Sequence, residues 1–431
     1  MALPAHRVTT AQLGAAYPFM ACPGPRCDAV VIGRNLFGGA FLYDPFELYR
    51  RGELTNPNMV VVGQIGRGKS AFVKAYLWRQ ALFGRQAWVI DPKGEYGPLA
   101  SAWGEEPIRL RPGGPVRLNP LEPVGLDHVA GEDQEHGRQA ITLVASLAES
   151  CLGRSLLPRE RTAVELAVST TAPPGPRRRG LPEVVHALLD PSPESAERVR
   201  TDRRTLAEDG RDVALELRRL VEGDLAGMFD GPTTAGLDLD GAFVVLDLSA
   251  VYSSPALGVL MTCAASFLAT SLRQPGRRQR ILVADEAWAV LSNLAVARWL
   301  QASWKLSRAW GVANVAVLHR LSDLGAAGAD GSEQVRLAEG LLSDSETAVV
   351  FSQPPGEADA CRELLGLSEV EALLLPRLGR GVSLWKVARR SFLVEHHLSR
   401  LERRLVDTDA AMGRPSERGS FLHGAAREND R

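Results

Sequence analysis

Eight consecutive residues constrain this chain more than any other stretch. Gly63-Gln64-Ile65-Gly66-Arg67-Gly68-Lys69-Ser70 reads G-x-x-x-x-G-K-[ST] in full. The flanks fit as well: the apolar run Met59–Val62 precedes it, and a helical stretch from Ser70 to Phe83 follows. Glycines let such a turn fold tightly, so that successive backbone N–H groups point inward at phosphate oxygens. The helix that opens there adds its positive dipole end. Gly63, Gln64, Ile65, Gly66, Arg67, Gly68, Lys69, Ser70 and Ala71 are therefore expected to cradle a nucleotide. Lys69 would bridge its β- and γ-phosphates, and the Ser70 hydroxyl would hold Mg2+.

Two further segments belong to the same chemistry. Ile281-Leu-Val-Ala-Asp285-Glu286 is a buried strand ending in two carboxylates. Asp285 would take the Mg2+ through water, and Glu286 would orient and deprotonate an attacking water. A protein that only stored nucleotide would not need that second acid. Asp91-Pro-Lys-Gly-Glu95-Tyr96 follows another apolar run, Ala87–Ile90. Loops at the carboxyl ends of parallel strands share one crevice, so Glu95 and the neighbouring cation could face the γ-phosphate. A Pro-Gly turn with surface charges is the alternative. The guanine-reading N-K-x-D and T-K-x-D motifs and the L-S-G-G-Q signature do not occur, which leaves ATP as the default and the base specificity open.

With 431 residues, 45% of them hydrophobic, the chain can bury a large core. Buried runs at Phe243–Leu248, Ile281–Ala284, Asn314–Leu318 and Thr347–Phe351 alternate with helical segments near 256–272 and 294–309. This pattern predicts one α/β, doubly wound, mostly parallel sheet. Between 126 and 240 strand-like runs give way to helical spacings: Ile141, Val144, Ala145, Leu147 and Ala148; Ala163, Leu166 and Ala167; Val213, Leu217 and Leu220. The expected domains are a small strand-containing lead-in (1–55), a nucleotide core (56–125 and 241–411), an inserted all-helical subdomain (126–240) and a disordered tail (412–431).

The bulk numbers bound the partners. A formal net charge of −1 implies no global grip on nucleic acid. The Arg277-Arg278-Gln279-Arg280 run could face DNA, but it joins a helix to a strand and reads rather as a solvated turn. Five cysteines suit a reducing compartment, and Cys22 and Cys27 form one pair with no second pair to complete a zinc site. The apolar stretch Leu257–Leu272 is too short and too rich in hydroxyls to span a membrane and reads as a buried helix. A cytoplasmic protein is expected, attached to the inner face of the cell membrane only through partners.

The set Gly63–Ser70, Asp91–Tyr96, Ile281–Trp288 and the C-terminal stretch beginning Leu384-Trp-Lys resembles the type IV secretion and conjugation ATPases of the VirB kind. These belong to the HerA–FtsK group of ring-forming motors, and the likeness runs from about 40 to 410. It implies a RecA-like P-loop NTPase fold and a homo-hexamer with ATP and Mg2+ at subunit interfaces. The partners it implies are membrane components of a secretion or conjugation channel; DNA is allowed as a partner but not required. It also implies a trans-acting arginine just before the strand after the acidic motif. Arg308 occupies that place, an ordinary solvated helix arginine being the alternative. Family members end that next strand in Thr-Gln, where the glutamine senses the γ-phosphate. This chain reads Ala316-Val-Leu-His319-Arg320, so His319 either takes the sensor position or packs beside the strand end. Family members also bring a long N-terminal docking domain, where this chain has some fifty residues: either that domain is reduced to the strands Ala29–Ile32 and Ala40–Tyr43, or a separate polypeptide supplies it. Besides an energising ATPase, a DNA translocase or coupling protein and a non-hydrolysing, ATP-ordered scaffold share these motifs.

Overall fold

A wholly apolar strand has no face to offer water, so it is stable only in a sheet covered on both sides. In the computed structural model of the protein the apolar runs become neighbouring strands of one such sheet. The structure describes residues 24–25, 28–122, 133–171, 180–237, 241–252, 257, 260–263, 278–288, 294–322 and 333–406. Its strands are β1 (Val30–Asn35), β2 (Ala40–Tyr43), β3 (Met59–Val62), β4 (Gln86–Asp91), β5 (Ile108–Arg109), β6 (Phe243–Asp247), β7 (Arg280–Ala284), β8 (Val312–Leu318), β9 (Thr347–Phe351), β10 (Val382–Val387) and β11 (Arg390–His396). They line up as β2-β1-β11-β10-β9-β3-β8-β7-β4-β6-β5. From β9 to β5 every pairing is parallel. From β9 outward through β10, β11, β1 and β2 every pairing is antiparallel.

The helices are α1 (Pro45–Arg50), α2 (Lys69–Gln80), α3 (Gly97–Ala102), α4 (Asp133–Leu152), α5 (Pro158–Thr170), α6 (Leu181–Leu189), α7 (Pro193–Arg198), α8 (Arg203–Val221), α9 (Leu294–Trp310), α10 (Glu333–Ser343), α11 (Ala358–Leu365), α12 (Glu369–Leu374) and α13 (Arg400–Val406). Alternate strand residues feed two cores. Met59, Val61, Val89 and Val283 pack with Phe72, Val73, Tyr76 and Leu77 of α2, and with Leu99 and Ala100 of α3. Val60, Val62, Ile90 and Leu282 face the other way, into the core shared with α4, α5, α6, α8, α9 and α10. Helices α4 to α8 lie between β5 and β6 in the chain, where helical spacing was expected. Val144, Leu147, Ala148, Val213, Leu217 and Leu220 are all buried there. No helix among the described residues is long and apolar enough to cross a membrane.

Four features differ from the sequence reading or extend it. Strands β1 and β2, read as a separate lead-in, join the main sheet through β11. Phe41 and Tyr43 of β2 pack against Trp385 with ring centroids 5.0 Å apart, which gives the antiparallel side an aromatic core. The hairpin β10–β11 and the two-residue edge strand β5 carry no apolar run long enough to announce them. Arg280 is no solvated residue: it is 1% exposed, donates to Gln86 Oε1 at 2.6 Å and lies 5.2 Å from the Trp88 ring centroid. Arg278 and Gln279 are exposed, as expected of a turn. Of 257–272, only residues 257 and 260–263 are described, and all are buried. Cys22, Cys27 and the tail from 407 lie outside the described residues.

One polar knot sits inside this apolar framework. Asn58, just before β3, and Asn314, inside β8, are fully buried. Asn58 Oδ1 accepts from the Asn314 backbone N–H at 3.2 Å and from Asn314 Nδ2 at 2.9 Å. Ser303 of α9 donates to Asn314 Oδ1 at 2.8 Å, and Asn58 Nδ2 donates to the Trp304 carbonyl at 3.1 Å. Partners on three elements satisfy both amides, which pins β3 to β8 and to the helix covering them. Truncation would strand several of these groups away from water. Asn314→Ala is therefore expected to lower the unfolding free energy by about 2–3 kcal/mol, read as a reduced urea midpoint.

Candidate functional site at the carboxyl edge of the sheet

Register alone gathers the sequence motifs. Val62 pairs with Leu318 and with Val350, Ala316 with Ala284, and Ala284 with Ile90. One residue further along, Gly63, His319, Phe351, Asp285 and Asp91 therefore share the carboxyl edge of the parallel strands, where open α/β sheets bind ligands. Strand β8 separates β3 from β7, so His319 stands between the glycine loop and the acidic pair.

The loop continues the sheet before it turns. Gly63 N–H donates to the Leu318 carbonyl at 3.3 Å, and Gln64 N–H donates to that of Ser352 at 3.1 Å. A Cβ at Gly63 would stand 2.5 Å from the Phe351 Cβ, so the first glycine is set by close approach to β9. Gly66 and Gly68 have φ of +76° and +110°, the left-handed region that favours glycine. Gly68 is the N-cap of α2 and supplies no side-chain acceptor, which leaves the first-turn N–H groups aimed out of the helix. Lys69 is 4% exposed, and its ammonium donates to the carbonyls of Gly63 and, at 3.0 Å, Gln64. Burial pushes its pKa down to about 8, although Glu286 and Asp285 pull the other way. Ser70 and Ala71 follow in the first turn of α2. The loop is tied down from the antiparallel side as well: Gly381 N–H donates to the Arg67 carbonyl at 3.0 Å, and His396 N–H to the Gly381 carbonyl at 2.8 Å.

Asp285 and Glu286 occupy a sharp turn after β7. Asp285 is 6% exposed, accepts from the Glu286 backbone N–H at 3.0 Å and has the Tyr96 hydroxyl beside it. Burial and the Glu286 charge push its pKa up. Glu286 has a φ of +52°, a left-handed conformation that costs a side-chain-bearing residue energy and marks a position held by its surroundings. Its carboxylate Oε1 accepts from the Lys93 ammonium and, at 2.7 Å, from His319 Nε2; Oε2 accepts from Trp288 Nε1. Burial alone would raise its pKa, but these three donors hold it at about 2.

The Asp91–Tyr96 loop is folded by its first residue. Asp91 Oδ1 accepts from Lys93 N–H at 3.2 Å and Gly94 N–H at 2.9 Å, while Oδ2 accepts from Tyr96 N–H at 2.9 Å. This Asx-type wrap aims Lys93 at Glu286. Burial pushes the Asp91 pKa up to about 6, against the pull of the backbone donors. Glu95 points instead towards Lys74 of α2, 3.4 Å away, whose side chain is wholly buried over the Tyr96 ring.

Of the residues singled out from sequence, Gly63–Ala71, Asp285, Glu286 and His319 meet at this edge, and Glu95 stands behind them. Arg308 does not join them. It is exposed in the last turn of α9, beside Gly311, whose carbonyl accepts from Arg280 N–H at the opposite end of the sheet. Lys93, the cation expected beside Glu95, lines a cleft of about 850 Å³ together with Gln64–Arg67, Glu286 and His319; Trp288, Arg320 and Arg380, which carried no assigned role, line it too. Gln353 went unassigned too. It lies 1% exposed after β9, and its Nε2 donates to the His319 carbonyl at 3.3 Å while its Oε1 has no hydrogen-bond partner. Its only sequence signal was Ser352-Gln353 closing an apolar strand, one strand away from where a glutamine was sought.

The two kinds of glycine separate experimentally. Gly63→Ala forces a methyl into Phe351, an overpacking cost of about 1–3 kcal/mol, and should lower the thermal midpoint. Gly66→Ala meets nothing within 4 Å and should cost only about 1 kcal/mol of backbone strain. A Gly63→Ala midpoint equal to wild type would contradict the tight approach.

No protein-family model and no curated protein sequence matches the chain. Solved structures do. VirB4 of Thermoanaerobacter pseudethanolicus superposes with a TM-score of 0.71 at 22% identity, over 88% of this chain and 100% of that one. The plasmid coupling protein TrwB in complex with the ATP analogue ADPNP gives 0.58 at 16% identity, over 93% and 96% of the two chains. TrwB in complex with ADP and Mg2+ gives 0.57 at 17% identity, over 91% and 93%. The resemblance read from the motifs therefore extends to the architecture: this chain has the RecA-like P-loop NTPase fold shared by VirB4 and the conjugative coupling protein TrwB.

Proposed function

We propose that the protein is a Mg-dependent ATPase that powers a conjugative DNA-transfer or type IV secretion-like machine as a ring-forming motor. The observation that carries this reading is the single edge where the uncapped start of α2, Lys69, Asp285 and Glu286 converge. The residues suit the groups they would hold. Two left-handed glycines and free first-turn N–H groups form an anion cradle. Asp285 is a buried carboxylate with no ion pair among the described residues, and with Ser70 it offers the hard oxygen donors that Mg2+ prefers. When bound, Mg2+ would neutralise charge on the β- and γ-phosphate oxygens.

The chain's own groups do the rest. Lys69 leaves the Gly63 and Gln64 carbonyls for the β- and γ-phosphates. Glu286, held in plane by Trp288 and His319, orients a water and takes its proton. His319 stands where a γ-phosphate sensor is expected, with Gln353 buttressing its carbonyl. The bound nucleotides in the TrwB structures support ATP and Mg2+ as the cofactors. The fold shared with VirB4 supports a role beside the membrane components of a transfer channel.

Arg308 fits this scheme only from a neighbouring subunit, because its own chain places it at the far end of the sheet. In a homo-hexamer it would neutralise charge on the phosphoryl group held next door.

Lys69→Ala should abolish retention of Mg·ATP in a filter-binding assay. Glu286→Gln should retain nucleotide yet slow phosphate release at least about 100-fold; equal, negligible release by wild type and Glu286→Gln would instead indicate an ATP-ordered scaffold. Arg308→Ala should also be slow, and mixing it with Glu286→Gln should restore release above either variant alone. No recovery on mixing would remove the trans assignment.

A further inference from the structure

One oxygen of the Glu286 carboxylate is fully engaged. Oε1 accepts from both Lys93 and His319, Oε2 accepts from Trp288, and the backbone beneath them is left-handed. To take a proton from water Oε1 must turn a lone pair towards that water, so for this oxygen one of its two donors has to leave. Trp288 lies two residues on from Glu286 and His319 directly follows the adjacent strand, and both donors are rings on short side chains that cannot swing far from their backbone. Lys93 differs. Its ammonium ends a flexible four-carbon stem, its side chain is 32% exposed, and it lines the same cleft as Gln64–Arg67. Its other neighbour, His319 Nε2 at 3.5 Å, cannot hold it if that nitrogen donates to Glu286.

We propose that Lys93 is a positioning residue which ties up Glu286 and surrenders it when the terminal phosphoryl group of a bound triphosphate takes over its ammonium. The exchange is one of partners, with no covalent bond made or broken: a carboxylate oxygen is traded for a more highly charged phosphoryl oxygen. Asp91 makes the exchange cheap in backbone terms. It holds the Lys93 and Gly94 amides in place, so only the side chain needs to swing. A diphosphate has no terminal group at that point and leaves the tie intact. Lys93 thereby couples the presence of the γ-phosphoryl to the freeing of the base, and the site discriminates triphosphate from diphosphate. This deepens the ATPase reading and rests on it.

The test compares equilibrium binding of Mg·ADPNP and Mg·ADP to the full chain as wild type, Lys93→Met and Lys93→Arg. Wild type is expected to prefer the triphosphate. Lys93→Met should weaken ADPNP binding on the order of tenfold, the usual worth of a charged hydrogen bond, while ADP binding stays within about twofold. Lys93→Arg keeps the charge and should restore most of the preference. A parallel loss for both nucleotides would reduce Lys93 to a structural prop and overturn the inference. An unchanged preference in Lys93→Met would overturn it too, with the ATPase reading intact. Wild-type protein that binds neither nucleotide would overturn both.

Discussion

Everything at the working edge depends on the in-register pairing of parallel strands. A slip of one residue between β3 and β8 would turn Gly63 away from His319 and send the buried faces of both strands to the wrong side. The Asn58–Asn314 knot guards against that slip. Its bonds are directional, and a displaced register would leave two amides unsatisfied in an apolar interior. Purely hydrophobic packing between such uniform valine-rich strands would discriminate register far less.

The second organising force is charge held out of water. Lys69, Asp91, Asp285 and Glu286 are all nearly inaccessible, yet they are not paired one to one. Lys69 rests on carbonyl oxygens, Asp91 on backbone amides, and Glu286 on three donors of different kinds. Asp285 has the poorest compensation, and its raised pKa reflects that. Buried charges left in this condition stay poised to exchange partners, which a set of closed ion pairs would not.

Much of this was legible in the chain. The glycine loop, the acidic strand end and the alternation of apolar runs with helices each depend on local pattern, and local pattern survives in a linear sequence. The helical spacings of 141–148, 163–167 and 213–220 translate directly into buried faces. Other features were hidden for physical reasons. Nothing in Arg280 distinguishes a solvated guanidinium from one stacked on Trp88, because the partners are supplied by a strand nearly two hundred residues earlier. The left-handed backbone of Glu286 is a tertiary imposition on a residue with no preference for it. Gln353 acquires meaning only once β9 is laid across β3 from β8, and the hold of Lys93 on Glu286 only once β4 is laid beside β7.

The hydrogen bond from Gly381 to the Arg67 carbonyl joins the glycine loop to the head of the antiparallel hairpin. That hairpin continues through β11 into β1 and β2, the outermost strands on this flank. A shift of Arg67 must either break this contact or drag Gly381 along, and His396 is bonded to Gly381 in turn. Strain generated at the loop thus has a hydrogen-bonded route to the outermost strands of the sheet, and that route runs through a hairpin at the opposite end of the chain.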